Sequence, residues 1–150
     1  MKASTSPIYE DVAIYDLWLK LVLGIALAAT FVAGLLLIRE DLGAALAMLG
    51  VTLFDAALFK AILPRKFQVF EDKLRIALGW VFRIDIPFSN IVDARSASGS
   101  KAFAYWGLRF ATSTRHVVEI IRKKGLNFII SPANEETFLE QLNRARRLAI

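Results

Sequence analysis

Residues 21 to 38 read LVLGIALAATFVAGLLLI and residues 42 to 63 read LGAALAMLGVTLFDAALFKAIL, and these two stretches decide the architecture of the chain. The first has eighteen residues and no charge. At ~1.5 Å of rise per residue it covers roughly 27 Å as a helix, close to the hydrocarbon core of a bilayer. The second is as long and is interrupted only by Asp55 and Lys60. A cleaved signal peptide has a shorter apolar core and lacks the polar segment that precedes residue 21 here. A buried helix of a soluble domain is usually shorter than either stretch. The link between them, Arg39-Glu40-Asp41, forces antiparallel neighbours. The reading is a two-helix transmembrane hairpin over residues 17–63, with spans at about 19–38 and 42–63.

The basic residues near the helix ends give the hairpin a direction. Its loop carries only Arg39, whereas Lys20 precedes it and Lys60, Arg65 and Lys66 close it. Positive-inside logic therefore puts both termini in the cytoplasm of an inner-membrane protein. Residues 1–16 are expected as a cytoplasmic N-terminal segment and residues 64–150 as a cytoplasmic domain. Tyr15 and Trp18 suit an aromatic anchor at the same interface. The chain has no cysteine, which removes disulfides, thiolate metal sites and cysteine nucleophiles from consideration.

Beyond Pro64 the hydrophobic period changes from that of a helix to that of a strand. In KLRIAL, Leu74, Ile76 and Leu78 alternate with Lys73, Arg75 and Ala77; in FRIDI, Phe82, Ile84 and Ile86 oppose Arg83 and Asp85. Glu71-Asp72, Gly79-Trp80 and Lys124-Gly125 are turn candidates, since Asp and Gly tolerate the dihedrals of tight reversals. Further strands are expected at 66–70, 91–95, 108–111, 117–123 and 127–131. SASGS at 96–100 is a small, flexible connection. Asn134 is a good N-cap for a final helix, with Glu135 and Glu136 in its first turn and Arg144, Arg146 and Arg147 near its end. Phe138, Leu142 and Ala145, with Leu139 beside them, give that helix one apolar stripe.

The pieces FEDKLRI (70–76), IPFSNIVDAR (86–95), GLRFATS (107–113), VVEIIRKKG (117–125) and ISPANEETFLEQL (130–142), in this order, resemble bacterial pleckstrin-homology-like (PH-like) domains. In small membrane proteins such domains follow a transmembrane hairpin. The resemblance implies a bent, barrel-like sheet of about six or seven antiparallel strands closed by one C-terminal helix, and a binding module instead of an enzyme. It does not carry over phosphoinositide recognition, because the loop that is basic in lipid-binding relatives is Glu71-Asp72 here.

Residues 60 to 150 hold 16 basic and 8 acidic side chains, so this part is positive while the rest is negative. A tethered basic domain feels the anionic inner leaflet at about 1 kcal/mol for each basic residue held close to it. Lys60, Arg65 and Lys66 are the candidate contacts to anionic lipid. Asp55 is the most unusual residue, because an ionisable group in a membrane span is costly; with Lys20 it is the candidate intramembrane polar contact. Ala26, Thr30 and Gly34 recur every four residues, which permits close helix approach.

His116 is the only histidine, so no histidine pair can ligate a metal, and Ser113 and Thr114 beside it do not make a triad. No glycine-rich phosphate loop is present. No catalytic residue, cofactor, metal or small-molecule substrate is therefore assigned. Nucleic acid is a poor partner for a domain held at the bilayer. The expected role is that of a non-catalytic scaffold offering a PH-like domain to a protein partner, a second copy or anionic lipid. The competing expectation is a small subunit of a transporter or channel built around Asp55.

Overall fold

The computed structural model describes residues 6–149. A short strand β1 (Tyr9–Val12) precedes two helices, α1 (Leu17–Leu37) and α2 (Leu42–Ile62). Each helix has 21 residues and is long and apolar enough to cross a membrane, with its outward side chains uncovered by protein. Asp41 caps α2 by accepting the Ala44 backbone N–H at 3.0 Å. Of the small-residue stripe, Thr30 and Gly34 lie at the contact between the two helices, while Ala26 is exposed. Gly34 is buried, and a Cβ there would lie 3.0 Å from Leu49; Thr52 donates to the Thr30 hydroxyl at 2.9 Å.

Strands β2 (Pro64–Val69), β3 (Lys73–Leu78) and β4 (Phe82–Pro87) then form an antiparallel meander, with β1 on its outer edge in the order β1-β2-β3-β4. The alternation read from KLRIAL is realised: Leu74, Ile76 and Leu78 are buried. On the other face Arg75 sits opposite Asp85 and holds it with two bonds, at 2.6 and 2.8 Å. A second four-stranded sheet contains β5 (Ile91–Ser96), β6 (Leu108–Phe110), β7 (Val118–Arg122) and β8 (Phe128–Ile130) in the order β5-β7-β8-β6. Helix α3 (Glu135–Leu148) is capped by Asn134, whose side chain accepts from the Thr137 N–H at 3.2 Å. Its Phe138, Leu142 and Ala145 enter one core with Phe67, Leu74, Ile76, Ile120 and Phe128.

Three features differ from the sequence expectation. The seven strands β2–β8 agree with the six or seven expected of the domain, but together with β1 they form two four-stranded sheets, and β6 pairs with β8 in parallel. The extra strand is β1, which pairs with β2 from Tyr9↔Val69 to Val12↔Lys66. It carries no period-two signal because its pattern is reversed: Asp11 points inward and is 8% exposed, while Val12 is 52% exposed. Asp11 is satisfied there by the backbone N–H groups of Val12 at 2.8 Å and Asn134 at 2.9 Å, as a buried carboxylate must be. The third difference is in 96–102, where a 3-10 turn at Gly99–Ala102 gives the expected loop a defined course.

Candidate functional site

The two chain crossings between the apolar helices and the β sheets contain almost no slack. On the C-terminal side only Leu63 separates α2 from β2. On the N-terminal side the chain leaves β1, bridges Ala13 to Pro132, and donates from Ile14 N–H to Ser131 and from Asp16 N–H to Thr112. The N-terminal segment thus runs along the first sheet and then along the second before it becomes α1.

Asp16 is the clasp at this point. Its carboxylate does not cap α1; it accepts from the Ser113 hydroxyl at 2.7 Å, the Thr114 N–H at 2.7 Å and the Thr114 hydroxyl at 2.9 Å. Burial raises the pKa of this carboxyl, but the bonds from Thr114 and Ser113, with help from Trp18, outweigh it and leave the value below the usual range. The Thr112 hydroxyl donates to the carbonyl of Ile14, and the Tyr15 hydroxyl crosses to the carbonyl of Pro64. Tyr15 therefore ties the entry of α1 to the exit of α2, and burial pushes its phenol up to about 12.

Two aromatic contacts flank this root. Trp18 in the first turn of α1 packs on Phe103, with ring centroids 5.0 Å apart. Lys60 in the last turn of α2 lies over the ring of Trp80, 3.8 Å from its centroid, in cation–π geometry. The position of Phe103 depends on Glu119, which is 5% exposed on β7. Glu119 accepts from Tyr105 at 2.8 Å, Lys101 at 2.9 Å and Arg95 at 3.0 Å, pinning 101–105 to the sheet. Burial opposes its ionisation, yet these three partners hold its pKa below normal. Burial and the Glu119 carboxylate raise Tyr105 to about 12, so the phenol remains a donor.

An open cleft of about 520 Å³ lies beside the clasp, lined by Asp16, Trp18, Thr114, Arg115 and His116. A second of about 340 Å³ lies between Tyr15, Lys60, Arg65, Gly79 and Trp80. Of the residues singled out from sequence, Lys60 and Arg65 meet in this second cleft. Lys66 forms an ion pair with Glu10 of β1 at 2.5 Å. Asp55 is half-buried on α2 and Lys20 exposed on α1, and no ion pair joins them among the described residues. Among those residues no group of three His, Asp or Glu side chains could hold a metal. The clasp residues Asp16, Ser113 and Thr114 come from distant parts of the chain. Trp80 did carry a signal, as a large aromatic at the tip of a turn.

Two packed sheets closed by one C-terminal helix define a PH-like fold, here following a pair of apolar helices. The family model described as a bacterial PH domain matches residues 65–146, more than half of the chain, and the protein belongs to that family. The matched span omits β1, although β1 completes the first sheet. The chain has no match among curated proteins or solved structures.

Proposed function

We propose that the protein is a non-catalytic membrane adaptor. The hairpin spans the cytoplasmic membrane with both termini inside, and the PH domain is presented at the inner surface to a protein partner or to anionic lipid. The observation that carries this reading is the clasped root: a domain of a binding family is joined to an apolar helix pair through Asp16, Tyr15 and Leu63 with no flexible linker. Such a joint holds one face of the domain towards the bilayer and the other towards the cytoplasm.

Lys60 and Arg65 are the lipid-facing candidates, and Lys66 contributes less because Glu10 already balances it. For a protein partner the best anchor is Trp106, which is 94% exposed. The Leu108 N–H bonds Asn127, so Trp106 and the half-exposed Leu126 lie at the same end of the second sheet. Exposed tryptophans of this kind are typical anchors of protein interfaces.

The test uses the intact chain. A photoreactive group at position 106 should capture one defined protein in native membranes, and Leu126→Arg should abolish the capture. In nanodiscs, anionic lipid should slow hydrogen exchange around Lys60 and Arg65 relative to neutral lipid. Failure of both measurements would sink the adaptor reading. A second reading, a subunit of a transporter or channel, is favoured by Asp55, for which no described side chain supplies a partner. Asp55→Asn would then change oligomeric state or ion flux, whereas an adaptor would keep its capture unchanged.

A further inference from the structure

We propose that the turn joining β3 to β4 is a lipid-inserting tip, with Trp80, Val81 and Phe82 entering the head-group region of the bilayer that the hairpin crosses. The inference rests on the reading of α1 and α2 as membrane spans and adds a contact that the spans themselves do not require.

Turn tips normally carry Gly, Asn, Asp or Ser. Here Gly79 takes the left-handed conformation, with φ +48°, and the residues after it are apolar. Trp80, Val81 and Phe82 are 72%, 77% and 56% exposed. Folding makes little use of them. Phe82 pairs with Leu78 and continues the inward face of β4, but Leu78 is buried and Phe82 is not, so the sheet runs out of its core at this end.

The tip also lies where the bilayer surface must be. Gly79 N–H donates to the Leu63 carbonyl at 2.9 Å. A Cβ at Gly79 would fall 2.2 Å from the Lys60 carbonyl, so only glycine lets the turn press this closely on the last turn of α2. Lys60 covers one part of the Trp80 ring, and Phe59 and Leu63 line the same cleft as Trp80. The end of α2 and the turn thus share one partly apolar cleft. Lys60, Arg65 and Arg83 lie near the turn without an ion pair among the described residues, whereas Lys66, Lys73 and Arg75 are balanced by Glu10 and Asp85. An apolar tip within a basic collar matches the anionic inner leaflet, where tryptophan prefers the interface. Trp18, in the first turn of α1, packs on Phe103 of the domain.

The tryptophans at 18, 80 and 106 allow a direct test. The full chain is reconstituted in vesicles of phosphatidylcholine and phosphatidylglycerol containing brominated phospholipid. Trp18→Phe with Trp106→Phe leaves Trp80 as the only emitter, and Trp80→Phe with Trp106→Phe leaves Trp18. The expected result is blue-shifted Trp80 emission, mostly lost to bromines near the glycerol end of the acyl chains and little affected by acrylamide in the water. Quenching of Trp18 but not of Trp80 would overturn the inserting turn and leave the hairpin in the bilayer. Quenching of neither would remove the membrane reading and the proposal with it. A nitroxide on Val81→Cys, in a chain with no other cysteine, repeats the measurement without altering a tryptophan: greater contact with oxygen than with an aqueous nickel reagent supports insertion, and the reverse overturns it.

Discussion

Asp16 stands where the β domain gives way to the first apolar helix, and one carboxylate there satisfies three donors from Ser113 and Thr114. Removing an acceptor from part-buried donors costs roughly 1–3 kcal/mol. Asp16→Ala should therefore lower stability by that order, and hydrogen exchange at the Thr114 amide should rise well before exchange in the core strands. Glu119 acts in the same way one layer deeper. Its folded pKa is lowered, so its contribution is complete above the unfolded value of about 4.3 and disappears as pH falls through the folded value. Glu119→Gln should cost about 1–3 kcal/mol near pH 7 and should flatten the loss of stability on acidification. Thermal midpoints of both proteins across the acid range check this. Asp85 contributes an acid-sensitive step of the same sign, because its bond from Arg75 depresses its carboxyl, and that step should survive in the variant. At this scale Lys60, Arg65 and Asp55 stand out in the sequence as charges beside or within apolar runs, and their roles remain proposals. Asp16 was not, because its partners lie almost a hundred residues away.

The elements divide by how strongly their pattern repeats. Helices α1 and α2 read clearly because long, predominantly apolar runs have few alternatives, and β3 because half of its residues must face the core. Helix α3 was marked at both ends by its cap and its charges. The pairing of α1 with α2 rests on Gly34: Val at this position would push a branched side chain against Leu49 and the Ala45 carbonyl. Gly34→Val should lower the detergent concentration at which the hairpin dissociates, as followed by fluorescence transfer between labels at the two helix ends. Strand β1 escaped detection because its inward position holds Asp11 and its outward position Val12. Its absence should be felt, since β2 would become a bare edge. A fragment of residues 64–150 is expected to show faster hydrogen exchange at Phe67–Val69 than the intact chain, and to associate at concentrations where the intact protein does not.

At the scale of the whole molecule, the N-terminal segment stitches both sheets together and then enters the hairpin, so the orientation of the β domain follows from the orientation of the helices. The positive-inside reading makes a definite prediction. With Glu40→Cys in the hairpin loop, a membrane-impermeant thiol reagent should label intact cells from outside, and with Ala149→Cys labelling should require opened membranes; the opposite pattern would invert the topology. The sequence by itself determined the apolar helix pair, the change of period at Pro64, most of the strands, the capped C-terminal helix and the PH-like class. All of these depend on local repetition of apolar and polar residues, which burial imposes on any helix or strand. Only the tertiary structure decided that β1 belongs to the first sheet, that β6 runs parallel to β8, that Asp16 clasps the 112–114 loop, and that Trp80 rests under Lys60. Each of these joins residues well separated in the chain, and a contact across such a distance leaves no local period to read.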